Sequence, residues 1–254
     1  MNPRKSVTRV ALIALGMALL LDLLAVAGWR RLDLASARLP AFLAEALPAD
    51  CRQVILVLSP ERRSIKARCW LLERTASGAW RPVQLSRPVN LGGHGLAWGR
   101  EATPRPAPLS WPTKQEGDGC SPAGVFPVTF AFGYSEPSQA AWLRLPYREL
   151  TDTLFGVDDA RSRYYNQVVD AAQVTPDWDS AETMRRADDL YQWGAFVAHN
   201  PDHAPGAGSC IFLHLWSGPG QGTAGCTALA EEDLKRILAW LDPAARPHLA
   251  QWVE

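Results

Sequence analysis

Cys226 is the residue whose neighbours best equip it to act as a nucleophile. It ends a glycine-dense stretch, residues 218–226 (GPGQGTAGC). Gly225 permits a tight bend just before it and leaves the sulfur unshielded. The N–H groups of Gly225 and Cys226 are expected to point together at an oxyanion developing on an attacked carbonyl. A helix is expected within a few residues, and its N-terminus favours a thiolate. Glu231, Glu232 and Asp233 in its first turn oppose that field, so Cys226 needs a stronger activator. His214 is the candidate. It stands twelve residues earlier, between Leu213 and Leu215. A strand, a glycine loop and a return bring such a pair together. The imidazole then takes the thiol proton and later gives one to a leaving amine. Between apolar residues a lone histidine usually reads as core; the glycine–cysteine partner moves the reading to catalysis.

Other chemistries fit less well. His199 and His203 are four apart, but Pro201 between them argues against the helix that would align them on a metal. No HExxH, paired CxxC or GxSxG occurs, and no Lys-Ser or Lys-Thr follows the glycines as in a phosphate loop. No metal or organic cofactor is expected. Lys plus Arg total 26 and Asp plus Glu total 26, so charge gives no case for nucleic acid as partner. Hydrophobic residues at 47% allow a sizeable core. The 11 tryptophans mostly fill it, while one near the site, Trp216, could line a groove.

The elements that must position this pair read as short strands. Gln53–Leu58 and Ile65–Leu72 form a hairpin about Pro60, Val125–Phe132 is rich in β-branched and aromatic residues, and Phe196–Asn200 and Ile211–Trp216 are short and apolar. Leu229–Leu241 is an amphipathic helix with Leu234, Ile237, Leu238 and Leu241 on one stripe, stopped by Pro243. Residues 101–118 read as a proline-rich surface loop. Residues 152–190 change character and read as a mostly helical or irregular insertion. Its Asp158, Tyr164, Tyr165, Asn166, Trp178 and Glu182 either cover a cleft or simply hold the insertion together. The fold class is mainly β with peripheral helices (α+β).

Residues 1–27 read as an export signal. Arg4, Lys5 and Arg9 precede the apolar run Val10–Leu21, and Ala25-Val26-Ala27 offers a cleavage site. An uncleaved membrane anchor is the alternative, and is the only membrane contact expected. Residues 28–50 form a connector with a short helix, and 51–254 the catalytic domain. The location is periplasmic or cell envelope, an oxidising space. Five cysteines leave one unpaired. Folding about Pro60 sets Cys51 opposite Cys69 as a disulfide, and Cys120 with Cys210 is the next possible pair. Cys226 is then free.

Three segments together resemble the L,D-transpeptidase catalytic-domain family (YkuD type). Thr223-Ala224-Gly225-Cys226 after His214 resembles its nucleophile motif, Ser121-Pro122-Ala123-Gly124-Val125-Phe126 its T-P-x-G-x-F strand entry, and residues 90–98 (NLGGHGLAW) and the later LAWLDP a branch of it. The likeness covers roughly residues 90–251. Three features depart from the pattern: Ala224 replaces the histidine two before the cysteine, the gap from His214 is short, and the insertion is extra. The resemblance implies a β-sandwich catalytic domain acting on peptidoglycan tetrapeptide stems. Cys226 would attack the carbonyl of the third residue and release D-alanine. The thioester would pass to a stem amine, or to water in a carboxypeptidase, and carbapenem-type inhibitors would acylate the sulfur. A silent wall-binding module of the same fold is the alternative from another class. Thr223, Trp216 and Asp118 are candidate substrate contacts, although an Asp flanked by glycines is often a turn residue. His199 and Asn200 would orient His214 or contact the stem.

Overall fold

The computed structural model describes residues 25–26, 28–30, 33–35, 37–101, 108 and 110–254. The apolar run Val10–Leu21 and the prolines of 102–107 lie outside the described residues. Among the described residues no helix is long and apolar enough to cross a membrane.

The chain is mainly β. The hairpin is β1 (Gln53–Ser59) and β2 (Lys66–Arg74), with β3 (Trp80–Pro82) and β4 (Arg87–Asn90) sharing the edge of β2 away from β1. Then come β5 (Leu96–Trp98), the long β6 (Ser121–Gly133) and β7 (Tyr147–Glu149). After a separate small sheet follow β11 (Trp193–Val197), β12 (Phe212–Leu215), β13 (Thr227–Leu229) and β14 (His248–Val253). Helix α1 is Ala41–Ala46 and α2 is Glu231–Trp240. The large sheet runs β1-β14-β6-β11-β12-β13-β4-β2-β3, and β1 also pairs with β2. The path therefore returns to its start, joining by hydrogen bonds what a sandwich keeps as two sheets.

Period-two alternation explains the layers. In β1, Ile55 and Val57 enter the central core while Val54, Leu56 and Leu58 face outward under Leu43 and Leu47 of the α1 segment. Both faces are covered, which is why β1 reads as an unbroken apolar run. Helix α2 lays Leu234, Ile237 and Leu238 into the central core and stops just before Pro243, as its apolar stripe predicts. A third cluster, with Phe132, Phe212, Leu154, Met184 and Tyr191, joins the outer face of β6 and β12 to the inserted segment.

That insertion is not helical. It is a three-stranded sheet ordered β10-β8-β9, built from β8 (Leu154–Val157), β9 (Gln167–Asp170) and β10 (Ala181–Thr183). Its charges do not lie along a helix face. They tie turns together across it: Arg161 reaches Asp159 and Asp179, and Arg163 reaches Asp177.

The expected Cys51–Cys69 disulfide is absent, and all five cysteines are free. The hairpin turns later than Pro60, so Val57, not Cys51, lies opposite Cys69. The two thiols also face different layers, Cys69 the central core and Cys51 the outer one. Cys120 and Cys210 are not joined either. Their sulfurs contact carbonyls instead, Asp118 and His94 for the first and Val157 for the second.

Candidate active site

The site forms where β12 and β13 run side by side. The pairing is parallel, with Leu213 level with Thr227 and His214 level with Ala228. Leu213 and Leu215 point into the central core, so Phe212 and His214 point the other way. Extending the register sets Cys226 level with Phe212 and on that same face. The Phe212 N–H donates to Cys226 Sγ at 3.3 Å. His214 on β12 and Cys226 immediately before β13 are thus diagonal neighbours, and both line one cavity of about 530 Å³, a size that suits a small ligand.

A parallel return over so short a loop needs fastening. Asn90 on β4 does this: its amide donates to Gly218 O (2.7 Å) and its oxygen accepts from Gly220 N–H (2.9 Å). Thr223 N–H donates to Leu91 O, and Gly93 N–H donates to Thr223 O. The turn into the cysteine is capped by Thr223, whose hydroxyl donates to Cys226 O (2.6 Å), while Ser121 Oγ donates to the same carbonyl (3.0 Å). The Ser121–Phe126 segment therefore has a physical part in the site, because its first residue anchors the backbone of Cys226.

Gly225 sits in a tight place. A Cβ there would stand 3.1 Å from Cys120 O and 3.4 Å from Ile211 Cδ1, at φ +157°. Gly225→Ala is expected to cost on the order of 1–3 kcal/mol through overpacking and to displace the sulfur. A thermal melt and a turnover assay check this; a variant matching the parent in both would refute it.

The electrostatics leave the resting pair neutral. Burial pushes the Cys226 thiol up to about 12, and the nearby Glu182 carboxylate adds to the rise. Burial likewise brings His214 down to about 4. His214 Nδ1 lies 2.7 Å from Leu215 O. A carbonyl only accepts, so Nδ1 carries the proton and Nε2 keeps the lone pair. Tyr191 packs edge-on against this ring with centroids 5.2 Å apart, and its hydroxyl donates to Glu182 Oε1 (2.7 Å). Arg186 donates to the same oxygen (2.8 Å). Burial raises Glu182 as well.

These shifts predict a pH dependence of stability. His214 is depressed to about 4, and His199 by burial to about 3. The unfolded chain titrates its histidines near 6.5, so below that pH it binds protons the folded state refuses. Stability then falls as pH drops from about 6.5 toward 4, by on the order of 3 kcal/mol for His214 alone. Above about 6.5 neither group contributes a slope. Urea unfolding of the parent and of His214→Gln across pH 4–7 checks this: the parent should lose more stability than the variant, and parallel curves would refute it.

Several expected roles change. The Gly225 N–H does not face the cavity as an oxyanion donor; it donates to Thr223 Oγ1 (3.1 Å). The helix N-terminus is not beside the sulfur, because β13 separates Cys226 from Glu231. His199 and Asn200 are 1% and 0% exposed and do not line the cavity. They brace the loop before β12: Asn200 Nδ2 donates to Gly208 O, and Asn166 Nδ2 donates to both backbone carbonyls while its Oδ1 accepts from Cys210 N–H. Asp118 is a turn residue. It pairs with Lys114 (2.5 Å) and accepts from the N–H groups of Gln115 and Cys120. Thr223 and Trp216 do line the cavity, and so does Ala224. Lys114 and Ser209, from the segments before β6 and before β12, also line it, as do Arg186 and Tyr191; no motif or spacing announces the last two, since the fold brings them from a separate segment. Among the described residues no group of three or more His, Cys, Asp or Glu could hold a metal.

Comparison with known proteins gives a family match. The family model of the YkuD L,D-transpeptidase catalytic domain matches residues 79–248, more than half the chain, including β12, the glycine loop and Cys226. No curated protein and no solved structure is significantly similar to it.

Proposed function

The chain belongs to the L,D-transpeptidase catalytic-domain family, and from that premise we propose that it is a cysteine acyltransferase acting on peptidoglycan tetrapeptide stems. The observation that carries the reading is the juxtaposition of His214 on β12 and Cys226 at the entry to β13, both lining a shared cavity. A neutral thiol beside a neutral imidazole is a competent resting pair. As the sulfur attacks the carbonyl of the third stem residue, its proton passes to His214 Nε2. The C–N bond to the terminal D-alanine then breaks, and the imidazolium protonates the leaving amine. A thioester remains on Cys226. An amine of a second stem attacks it, forms the cross-link and returns a proton to the sulfur. The Leu215 carbonyl keeps the imidazole in the tautomer that accepts the proton. These steps call on no metal or organic cofactor. The work belongs outside the cytoplasm, in the cell envelope, which fits the leader read in residues 1–27. Carbapenem-type inhibitors would acylate the same sulfur.

The test uses tetrapeptide muropeptides, the protein from Gly28 onward, and its Cys226→Ala variant, with products followed by mass spectrometry. Loss of D-alanine with a cross-linked dimer, absent in the variant, is the expected result. D-alanine loss without dimers would make water the acceptor. No product dependent on Cys226 would move the wall-binding module to first place.

A further inference from the structure

An attacked carbonyl needs a donor for the charge that develops on its oxygen. Gly225 does not supply one, because its N–H goes to Thr223 Oγ1 (3.1 Å). Three side-chain donors around the sulfur are committed as well. Thr223 donates to Cys226 O, Tyr191 to Glu182, and His214 Nδ1 to Leu215 O. Two cations line the cavity, Arg186 and Lys114. Arg186 lies over the Tyr191 ring, on the His214 side, and is shared between Asp188 and Glu182.

Lys114 is on the Gly225 side and is 4% exposed. Its stem packs against Gly208, where a Cβ would come within 3.1 Å of both Cγ and Cε. A Cβ on Gly225 would stand 3.8 Å from Nζ. The side chain thus runs between the loops that enter β12 and β13, and its ammonium ends beside the residue before the nucleophile. Among the described residues Nζ donates to Asp118 Oδ1 and Gln115 O. An ammonium has three N–H groups, so one is left. Asp118 also accepts from the N–H groups of Gln115 and Cys120, so its turn does not hang on the lysine alone. Burial dominates the Cys226 thiol, and the cations that counter it are Lys114 and then Arg186.

We propose that Lys114 is a further catalytic residue, whose Nζ donates a hydrogen bond to the oxyanion formed when Cys226 attacks the substrate carbonyl. This rests on the acyl-transfer reading above. The sulfur pair forms the S–C bond, and the C=O π pair moves onto oxygen. Lys114 keeps its proton and gives only the hydrogen bond, which strengthens as the charge grows. When that pair returns, the C–N bond breaks and His214 protonates the leaving amine. The base and the oxyanion donor therefore stand at opposite ends of the reacting carbonyl's surroundings, one on β12 and one from the segment before β6.

The experiment measures D-alanine release, binding of a peptide aldehyde whose hemithioacetal on Cys226 resembles the tetrahedral intermediate, and alkylation of Cys226 by iodoacetamide, which makes no oxyanion. Lys114→Met should lower kcat by about 10²–10³-fold with KM little changed. The aldehyde should bind at least about tenfold more weakly, while alkylation stays close to the parent's rate. Lys114→Met leaves Asp118 without its cation, so Lys114→Met/Asp118→Asn, which removes both charges, is measured beside it and should show the same loss. Asp118→Asn alone keeps the ammonium and should retain far more of the parent's kcat than either. Thermal melts follow all four proteins. A kcat near the parent's in the double variant would overturn the proposal. So would an alkylation rate that falls as far as kcat, because the lysine would then act on the thiol or on the loop. An equal loss in Asp118→Asn would reduce Lys114 to half of a structural ion pair. No D-alanine release by the parent would take down the acyl-transfer reading itself, and this proposal with it.

Discussion

Cys226→Ala is expected to abolish D-alanine release, lowering turnover by at least about 10³-fold, while the melting temperature stays close to that of the parent. In this account the Cys226 sulfur forms the covalent bond, so its removal takes away the nucleophile. The second cysteine of the cavity, Cys210, is a poor substitute. Its sulfur is fully buried, lies against Val157 O, and is held far above the ordinary thiol range by desolvation. The fold should survive because, among the described residues, Cys226 Sγ makes two weak hydrogen bonds, with Phe212 N–H and Cys210 O. Its backbone anchors, the Thr223 and Ser121 hydroxyls on Cys226 O, do not involve the side chain. Turnover assays beside a thermal melt check both halves. Retained D-alanine release by the alanine variant would remove the thioester from the account.

His214→Gln is expected to lower kcat by about 10²–10⁴-fold, the usual range for a positioned acid–base group, with KM little changed. The thiol titrates at about 12 in this burial, so at neutral pH almost no thiolate exists without an acceptor for its proton. The parent's kcat/KM should fall on the acid side with an apparent pKa near 4, where His214 becomes charged, and not near the ordinary histidine value of about 6.5. The variant should lack that limb and gain rate as pH rises, because hydroxide then supplies the thiolate. Steady-state kinetics from about pH 3.5 to 9 reads both limbs. An acid limb at the ordinary histidine value, or an unchanged kcat in the variant, would count against His214 as the base.

Much of this site is legible from residue order. The alternation Leu213, His214, Leu215 already sends the imidazole away from the core, and a glycine-rich return is the simplest way to bring a later residue beside it. What could not be read is register and partnership. The Cys51–Cys69 pairing fails because the turn after β1 is centred near residue 63, not at Pro60, and a shift of three in the centre moves the partner by six. Local composition does not set that centre; packing of Ile55 and Val57 against the core does. The insertion misleads for a related reason. Its charged residues mimic helical spacing, yet they serve as turn ties between strands too short and too polar to show a clean period. The Gly225 N–H belongs to the same class of miss. A glycine before a cysteine offers a free donor in principle, but the Thr223 hydroxyl two residues earlier takes it. His199 and Asn200 are polar residues beside a strand, and only the fold reveals that their partners are Arg100 N–H, Gly208 O and Asn166 rather than a ligand.

The central claim is a thioester on Cys226, and intact-protein mass spectrometry tests it most directly. The parent, incubated with a tetrapeptide stem and no amine acceptor and quenched in acid within seconds, should gain the mass of the stem less its D-alanine. Proteolysis should place that adduct on the peptide containing Cys226. Cys226→Ala should gain nothing. D-alanine released with no adduct at any quench time, or an adduct that maps to another residue, would contradict the account.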